Sequence, residues 1–208
     1  EFFDVIARRG SYRGEFEQSS ISQEELYRIL DAGIRAPSGY NLQTATFYAV
    51  TDELLRRSLA EIFPTKAVQL PVILVVTSQC IHSGDHNLQF ETEDYAAATE
   101  NVMLAITASG YAGVWMDGMM KFDGHTDAVR QLLHIPDSET PRTIIPFGKP
   151  AGPVSQRPKK HFTSVFTFCK TKQFERMSCL YKETTHPLFY RTIQPMYCAD
   201  KYDLSVLS

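Results

Sequence analysis

The chain of 208 residues is first defined by what it lacks. Its longest apolar run, Leu70–Val76, falls far short of the roughly 20 residues that span a bilayer. Neither charge sign dominates, with 21 basic against 24 acidic residues and a formal net charge of −3. A nucleic-acid binder working by bulk positive charge is thereby disfavoured. No charged segment followed by an apolar one opens the chain, so nothing points to secretion and a cytoplasmic protein is expected. There is no C-x-x-C pair. Cys169, Cys179 and Cys198 crowd into the C-terminal part and only Cys80 lies elsewhere, which leaves a structural zinc site of the usual spacing unsupported and favours reduced thiols. There is no G-x-S-x-G elbow, and Ser11 and Ser38 have no nearby histidine in sequence, so nucleophilic hydrolysis is not suggested. No repeat or low-complexity stretch is present.

What remains is an ordinary globular composition, 43% apolar and 22% charged, long enough to bury a core without disulfides or metals. Phe2 to Ala7 reads as a short helix. A second helix begins at Ser22, where Ser22-Gln23-Glu24-Glu25 forms a capping box, and continues through Leu26, Ile29, Leu30 and Ile34 until Pro37 stops it. Thr46 to Thr51 reads as a strand and Asp52 to Phe63 as a helix. Pro71 to Ser78 is β-branched and apolar throughout, the pattern of a central strand buried on both faces. Gln79 to Thr92 is polar and reads as a loop. Glu93 to Ser109 is the longest predicted helix, small or apolar around much of its circumference, with Gly110 placed as its C′ residue. A short strand at Val114–Met116, a helix over Thr126–Leu133 and a strand over Arg142–Phe147 complete an α+β or α/β pattern. The alternation Phe162, Val165, Phe166, Phe168 hints at one more strand. Beyond Cys169 no period is sustained, and the aromatic content of this tail favours an arm lying on another subunit over disorder.

Four segments carry candidate chemistry. Arg8-Arg9-Gly10-Ser11-Tyr12-Arg13 places guanidinium groups on both sides of a hydroxyl, which suits a phosphate; its bland alternative is a solvated basic turn. Ala36 to Gln43 joins a helix to a strand and includes Pro37, Ser38, Gly39, Asn41 and Gln43, donors and acceptors suited to a ring edged with carbonyls and nitrogens. An ordinary turn stabilised by Asn and Ser is the alternative. Gly113 to Gly118, with Trp115, Met116 and Asp117, is a strand ending in Asp-Gly that allows close backbone approach to a flat ligand. Arg157-Pro158-Lys159-Lys160 is a basic stretch that would reach the same phosphate or remain a solvated face.

In their order and spacing these segments resemble the flavin-dependent nitroreductase family, over roughly Phe2 to Val165. The resemblance implies a mixed sheet flanked by helices, an intertwined homodimer, and FMN at each subunit interface. Arg9, Ser11 and Arg13 would hold the FMN phosphate, joined by Lys159 or its neighbours Arg157 and Lys160. The Pro37–Gln43 loop would approach the flavin of the other subunit, with Asn41, Gln43 and Lys66 bonding the ring or ribityl chain. Main-chain atoms of Trp115 to Gly118 would lie beside the ring, an amide at Asp117 or Gly118 near N5. The long helix would be a main dimer contact. The implied activity is ping-pong hydride transfer from NADH or NADPH to an electron-poor small molecule such as a nitroaromatic or quinone, with no side chain required as general acid or base. Other flavin chemistry within the superfamily, such as reductive dehalogenation or flavin breakdown, and a flavin-binding protein without turnover are the alternatives. The sequence departs from the family at Thr44-Ala45, where Pro-Trp is frequent, which bears on the substrate pocket. Residues 1–165 form the expected FMN-binding domain and 166–208 an extension. Cys80-x-His82-x-x-Asp85-His86 offers four possible metal ligands, but with no second ligand cluster no metal is expected.

Overall fold

The computed structural model describes residues 1–63, 70–84, 87–122, 124–161, 164, 165 and 167. It divides into two units, Glu1–Arg157 and Pro158–Ser208. In the second, Pro158 to His161 are exposed, and the Ser164 amide donates to the His161 carbonyl at 2.9 Å. Phe162, Phe166 and Phe168 of the expected strand, Lys66, and the tail beyond Phe168 lie outside the described residues.

The first unit is centred on strand β2 (Val72–Gln79), whose residues from Val72 to Ser78 are all buried. The sheet order is β1 (Ala45–Val50), β2, β6 (Glu139–Gly148), β5 (Ala112–Gly113). All three pairings are antiparallel, and an isolated parallel bridge joins Ser11 to Gly113 at the β5 edge. Because side chains alternate along a strand, β2 feeds two cores. Val72, Leu74 and Val76 meet Leu26 and Ile29 of α2 (Gln23–Ile34) and Tyr95, Val102, Met103 and Ile106 of α4 (Glu91–Ala108). On the other face, Ile73 and Val75 meet Leu59 of α3 (Glu53–Ile62), Met120 of α5 (Asp117–Met120) and Val129 of α6 (His125–Leu133). The expectation of a strand buried on both faces therefore holds, with helices rather than parallel neighbours accounting for it. Among the described residues no helix is long and apolar enough to cross a membrane.

The caps explain the boundaries. The Ser22 hydroxyl accepts the Glu25 amide while Glu25 accepts the Ser22 amide, both at 3.2 Å. Glu25 also accepts the Tyr111 hydroxyl at 3.0 Å. Bonds to Ser22 first, then to Tyr111, hold the Glu25 carboxyl below its ordinary value. Tyr111 follows α4, which closes as a Schellman motif: Gly110, at φ 80°, donates to Thr107 and Tyr111 donates to Ile106. Only glycine takes that left-handed turn without a steric cost.

The structure shifts several expected boundaries. Helix α2 ends at Ile34 with Arg35 as its C-cap, two residues before Pro37. Helix α1 (Phe2–Arg8) is present but buries none of its residues. Helix α4 starts at Glu91, and the strand expected at Val114–Met116 is instead β5 at Ala112–Gly113, continued by a bridge from Met116 to Ile144. The expected loop Gln79–Thr92 contains a small hairpin of β3 (His82–Ser83) and β4 (Leu88–Gln89). The Ser83 hydroxyl accepts the Leu88 amide, and His82 is engaged by Asn87 and Gln89, local polar bonds that carry no hydrophobic periodicity. Asp85 and His86 lie outside the described residues.

Glu139, 7% exposed, accepts the Thr77 hydroxyl at 2.6 Å and the Tyr48 hydroxyl at 3.0 Å, with Gln79 Nε2 at 3.5 Å. These donors allow a carboxylate to sit between β1, β2 and β6. Burial first, then Glu139, pushes the Tyr48 hydroxyl above the ordinary tyrosine value of 10.0. Tyr95 and Tyr111 are also raised, again chiefly by burial. The folded chain thus holds these protons more tightly than the unfolded chain. That stabilisation is complete below pH 10 and is lost as pH rises through the folded-state values. Denaturant titrations from pH 8 to 12 are expected to show stability falling above about pH 10. Tyr48→Phe should make that fall shallower while costing about 1 kcal/mol at neutral pH for the lost bond; an unchanged alkaline slope would count against this assignment.

Candidate functional site

Two arrays of the expected site residues form on different parts of the sheet. The first lies along the β5 edge. The chain leaves α1 at Arg8, and the Tyr12 amide donates to the Gly113 carbonyl at 3.0 Å, fixing Ser11 beside Gly113. From the outside, Gln156 Nε2 donates to the carbonyls of Ile6, at 3.2 Å, and Arg9, at 3.0 Å. Gly10 is buried in this clamp: a Cβ there would come within 2.5 Å of the Ser155 carbonyl oxygen. The Arg9 side chain is partly buried and lies 3.5 Å from Glu100 of α4. Arg8, Ser11 and Arg13 are exposed, and among the described residues neither Arg8 nor Arg13 has a carboxylate partner. Arg157, exposed, directly follows the Gln156 anchor. Lys159 and Lys160 are exposed residues of the second unit.

The same edge carries Trp115 to Gly118. The Val114 amide donates to Pro146 and that of Met116 to Ile144, which lays this strip along β6. Trp115, Met116 and Asp117 are half-buried and Gly118 is exposed. The amides of Asp117 and Gly118 open α5, so they have no intrahelical acceptor. The Asp117 carboxylate turns to Lys121 Nζ at 3.0 Å, leaving the main chain as the feature presented here. The Trp115 indole Nε1 is buried without a hydrogen-bond partner among the described residues.

The second array is the Pro37–Gln43 loop, which enters β1 at the opposite edge of the sheet. Gly39 to Asn41 form a 3₁₀ turn. The Ser38 hydroxyl accepts the Gln43 amide at 3.1 Å, and Gln43 Nε2 donates to the Asn41 carbonyl at 3.4 Å. Tyr40, Asn41 and Gln43 have φ of 51°, 56° and 50°. Asn tolerates that region, whereas Tyr and Gln adopt it at a cost and persist there only when surrounding contacts hold them. Pro37, Tyr40, Asn41 and Gln43 are exposed.

Sequence reasoning missed what ties both arrays to the core. Helix α4 contacts β1 and β5. Near its start, buried Asp94 accepts the Gly39 amide and the Thr44 hydroxyl, each at 2.8 Å. In its middle, Glu100 meets Arg9. The available signal was weak: Asp94 and Glu100 are two of four carboxylates in α4, and only the burial of Asp94, unusual for an acidic residue unless paired, sets it apart. Arginines and a hydroxyl on a fixed backbone suit a phosphate, and the bare main chain beside them suits a flat ring.

A match to the Nitroreductase family model covers residues 6–69 and 64–149. A protein of Archaeoglobus fulgidus, whose name couples NADH dehydrogenase with NAD(P)H nitroreductase, is 30% identical over 152 residues, covering 72% of this chain and 86% of its own. A crystal structure from Bacteroides thetaiotaomicron, titled with the same two activities, is 26% identical with a TM-score of 0.70, covering 80% of this chain and 96% of that one. A BluB-like flavoprotein from Clostridium difficile has a TM-score of 0.71 at 19% identity, covering 82% and 99%, and shows the shared fold alone. With its core α/β/α layering and the two arrays seated on it, the chain belongs to the nitroreductase family and is an oxidoreductase.

Proposed function

We propose that the chain binds FMN between two copies of itself and uses NADH or NADPH to reduce an electron-poor small molecule such as a nitroaromatic or quinone. The observation that carries this reading is the Ser11–Gly113 bridge, which seats the basic, hydroxyl-bearing segment directly beside the strand running into Trp115–Gly118. The residues fit the group. Arg8, Ser11 and Arg13 are exposed, and among the described residues neither arginine is engaged by a carboxylate, while Gly10 permits the close backbone approach that holds them.

Hydride transfer from the nicotinamide to the acceptor is the chemistry FMN supplies when bound. The protein supplies binding and orientation. Arg9, Ser11 and Arg13 would neutralise the phosphate by charge-assisted bonds, with Arg157 adding a further cation. Asp117 and Gly118 would offer main-chain amides to the ring, and Asn41 and Gln43 polar side chains to the ring or ribityl chain. Fixed donors of this kind favour negative charge on the ring without reorganising when it appears. No side chain of this set is needed to move a proton.

Placement supports a homodimer. Strands β1 and β5 stand three strand spacings apart in the sheet, about 14 Å. The Pro37–Gln43 loop therefore reaches a flavin at the β5 edge most directly from a second copy. Helices α1 and α2, which flank α4, expose Phe2, Phe3, Ile6, Tyr27 and Ile34, Phe3 at 81%; apolar surface of this kind marks an interface. The exposed free thiol of Cys80 fits a reducing, cytoplasmic setting.

Protein purified with FMN should show flavin absorption, and anaerobic NADPH or NADH should bleach it. Colourless protein that takes up no added FMN would sink the reading, and bound flavin that neither nucleotide bleaches would leave a flavin binder without this activity. Arg9→Ala combined with Arg13→Ala should weaken FMN binding by about tenfold or more, measured by quenching of flavin fluorescence; wild-type affinity would displace the phosphate from this segment. Light scattering should return twice the chain mass, and a monomer that still binds and turns over flavin would refute the shared site.

A further inference from the structure

Asp94 is 3% exposed and forms no ion pair among the described residues. A buried carboxylate without a cation is tolerated only where hydrogen bonds replace its lost water. Both of its oxygens are spent on one loop: Oδ1 on the Gly39 amide and Oδ2 on the Thr44 hydroxyl. These two anchors bracket residues 40–43, the stretch in which Tyr40, Asn41 and Gln43 all take positive φ. Phe90, the residue before α4, closes the loop from the same side. A Cβ on Gly39 would come within 2.1 Å of its ring, and the Tyr40 ring lies against it at 5.7 Å between centroids. Ser38, just before the bracket, ties to Gln43 within it, its hydroxyl accepting the Gln43 amide. The strained backbone is therefore held from the start of α4, and the two bonds to Asp94 are the charged part of that hold.

We propose that Asp94 is a positioning residue, holding the Pro37–Gln43 loop through Gly39 and Thr44 in the conformation that meets the flavin, before any flavin is present. It touches no reacting atom. The inference rests on the flavin reading for its consequence, but the clamp itself belongs to the chain without its cofactor.

The test separates the two. In FMN-free protein, Asp94→Ala should speed amide hydrogen exchange at Gly39 and Gln43 by about tenfold or more, the scale of a lost bond to a charged group, while Leu74 and Val75 of β2 exchange as in the wild type. Asp94→Asn should recover most of the protection, because its amide can accept from Gly39 and donate to the Thr44 hydroxyl. With FMN added, Asp94→Ala should raise Kd by about tenfold or more and alter the visible circular dichroism of whatever flavin binds. If Asp94→Ala does not fold, Thr44→Val, which removes one of the two bonds, should move the same readouts in the same direction by about threefold. Unchanged exchange at Gly39, or equal acceleration in β2, would overturn the clamp. Faster exchange at Gly39 with wild-type FMN affinity and dichroism would overturn the link to the flavin. Wild-type protein that binds no FMN would overturn the flavin reading, and the exchange data would then decide the clamp on their own.

Discussion

The rest of the structure depends on a single long helix lying across a sheet whose central strand is buried on both faces. Helix α4 covers one face of β2 with Tyr95, Val102, Met103 and Ile106, and its two internal carboxylates reach in different directions. Asp94 holds the loop entering the β1 edge, and Glu100 meets the basic segment at the β5 edge. Hydrophobic burial sets where the helix lies, at roughly 1.5–3 kcal/mol for each fully buried large side chain. Charge then determines what is fastened to it. The loop and the basic segment are too short and too polar to hold their conformations alone, and both borrow rigidity from α4.

Their rigidity has a functional logic. A site that must receive a flat, highly charged ligand gains most when its donors are fixed beforehand, since ordering them on binding would cost affinity. At the β5 edge this is done on the backbone: the Tyr12 amide bonds Gly113, the Gln156 side chain bonds the carbonyls of Ile6 and Arg9, and Gly10 is pressed against Ser155. Around Gly39 it is done with side chains, a carboxylate and an aromatic ring, because the backbone there is strained and has no neighbouring strand to pair with. The near-neutral total charge conceals this arrangement. Positive groups are concentrated at Arg8 to Arg13, and much of the compensating negative charge lies elsewhere on the chain.

Much of the fold was legible in the residues. The Ser22–Glu25 capping box, the Asp52 start of α3, the apolar run of β2 and Gly110 at the end of α4 each follow from local chemistry that acts within a few residues. The errors fell where the deciding contact was distant or lacked periodicity. Residues 112–113 rather than 114–116 form the edge strand because β6 pairs with them there. The hairpin at His82–Gln89 is held by side-chain bonds within a polar stretch. Helix α1 runs one residue past its expected end, to Arg8, and contacts α4 without burying a face.

The candidate site divides along the same line. That Arg9, Ser11, Arg13, Asn41 and Gln43 suit a phosphate and a ring could be read from their types, because charge and hydrogen-bonding capacity belong to the side chain wherever it sits. The sequence by itself determined the elements, the buried central strand and the chemical character of the site. Only the tertiary structure decided that Ser11 pairs with Gly113, that Gln156 clamps Arg9, and that Asp94 holds Gly39, contacts spanning 102, 147 and 55 positions of chain. Pairings at such separations are selected by how two core faces fill, and no local pattern encodes which partners that filling brings together.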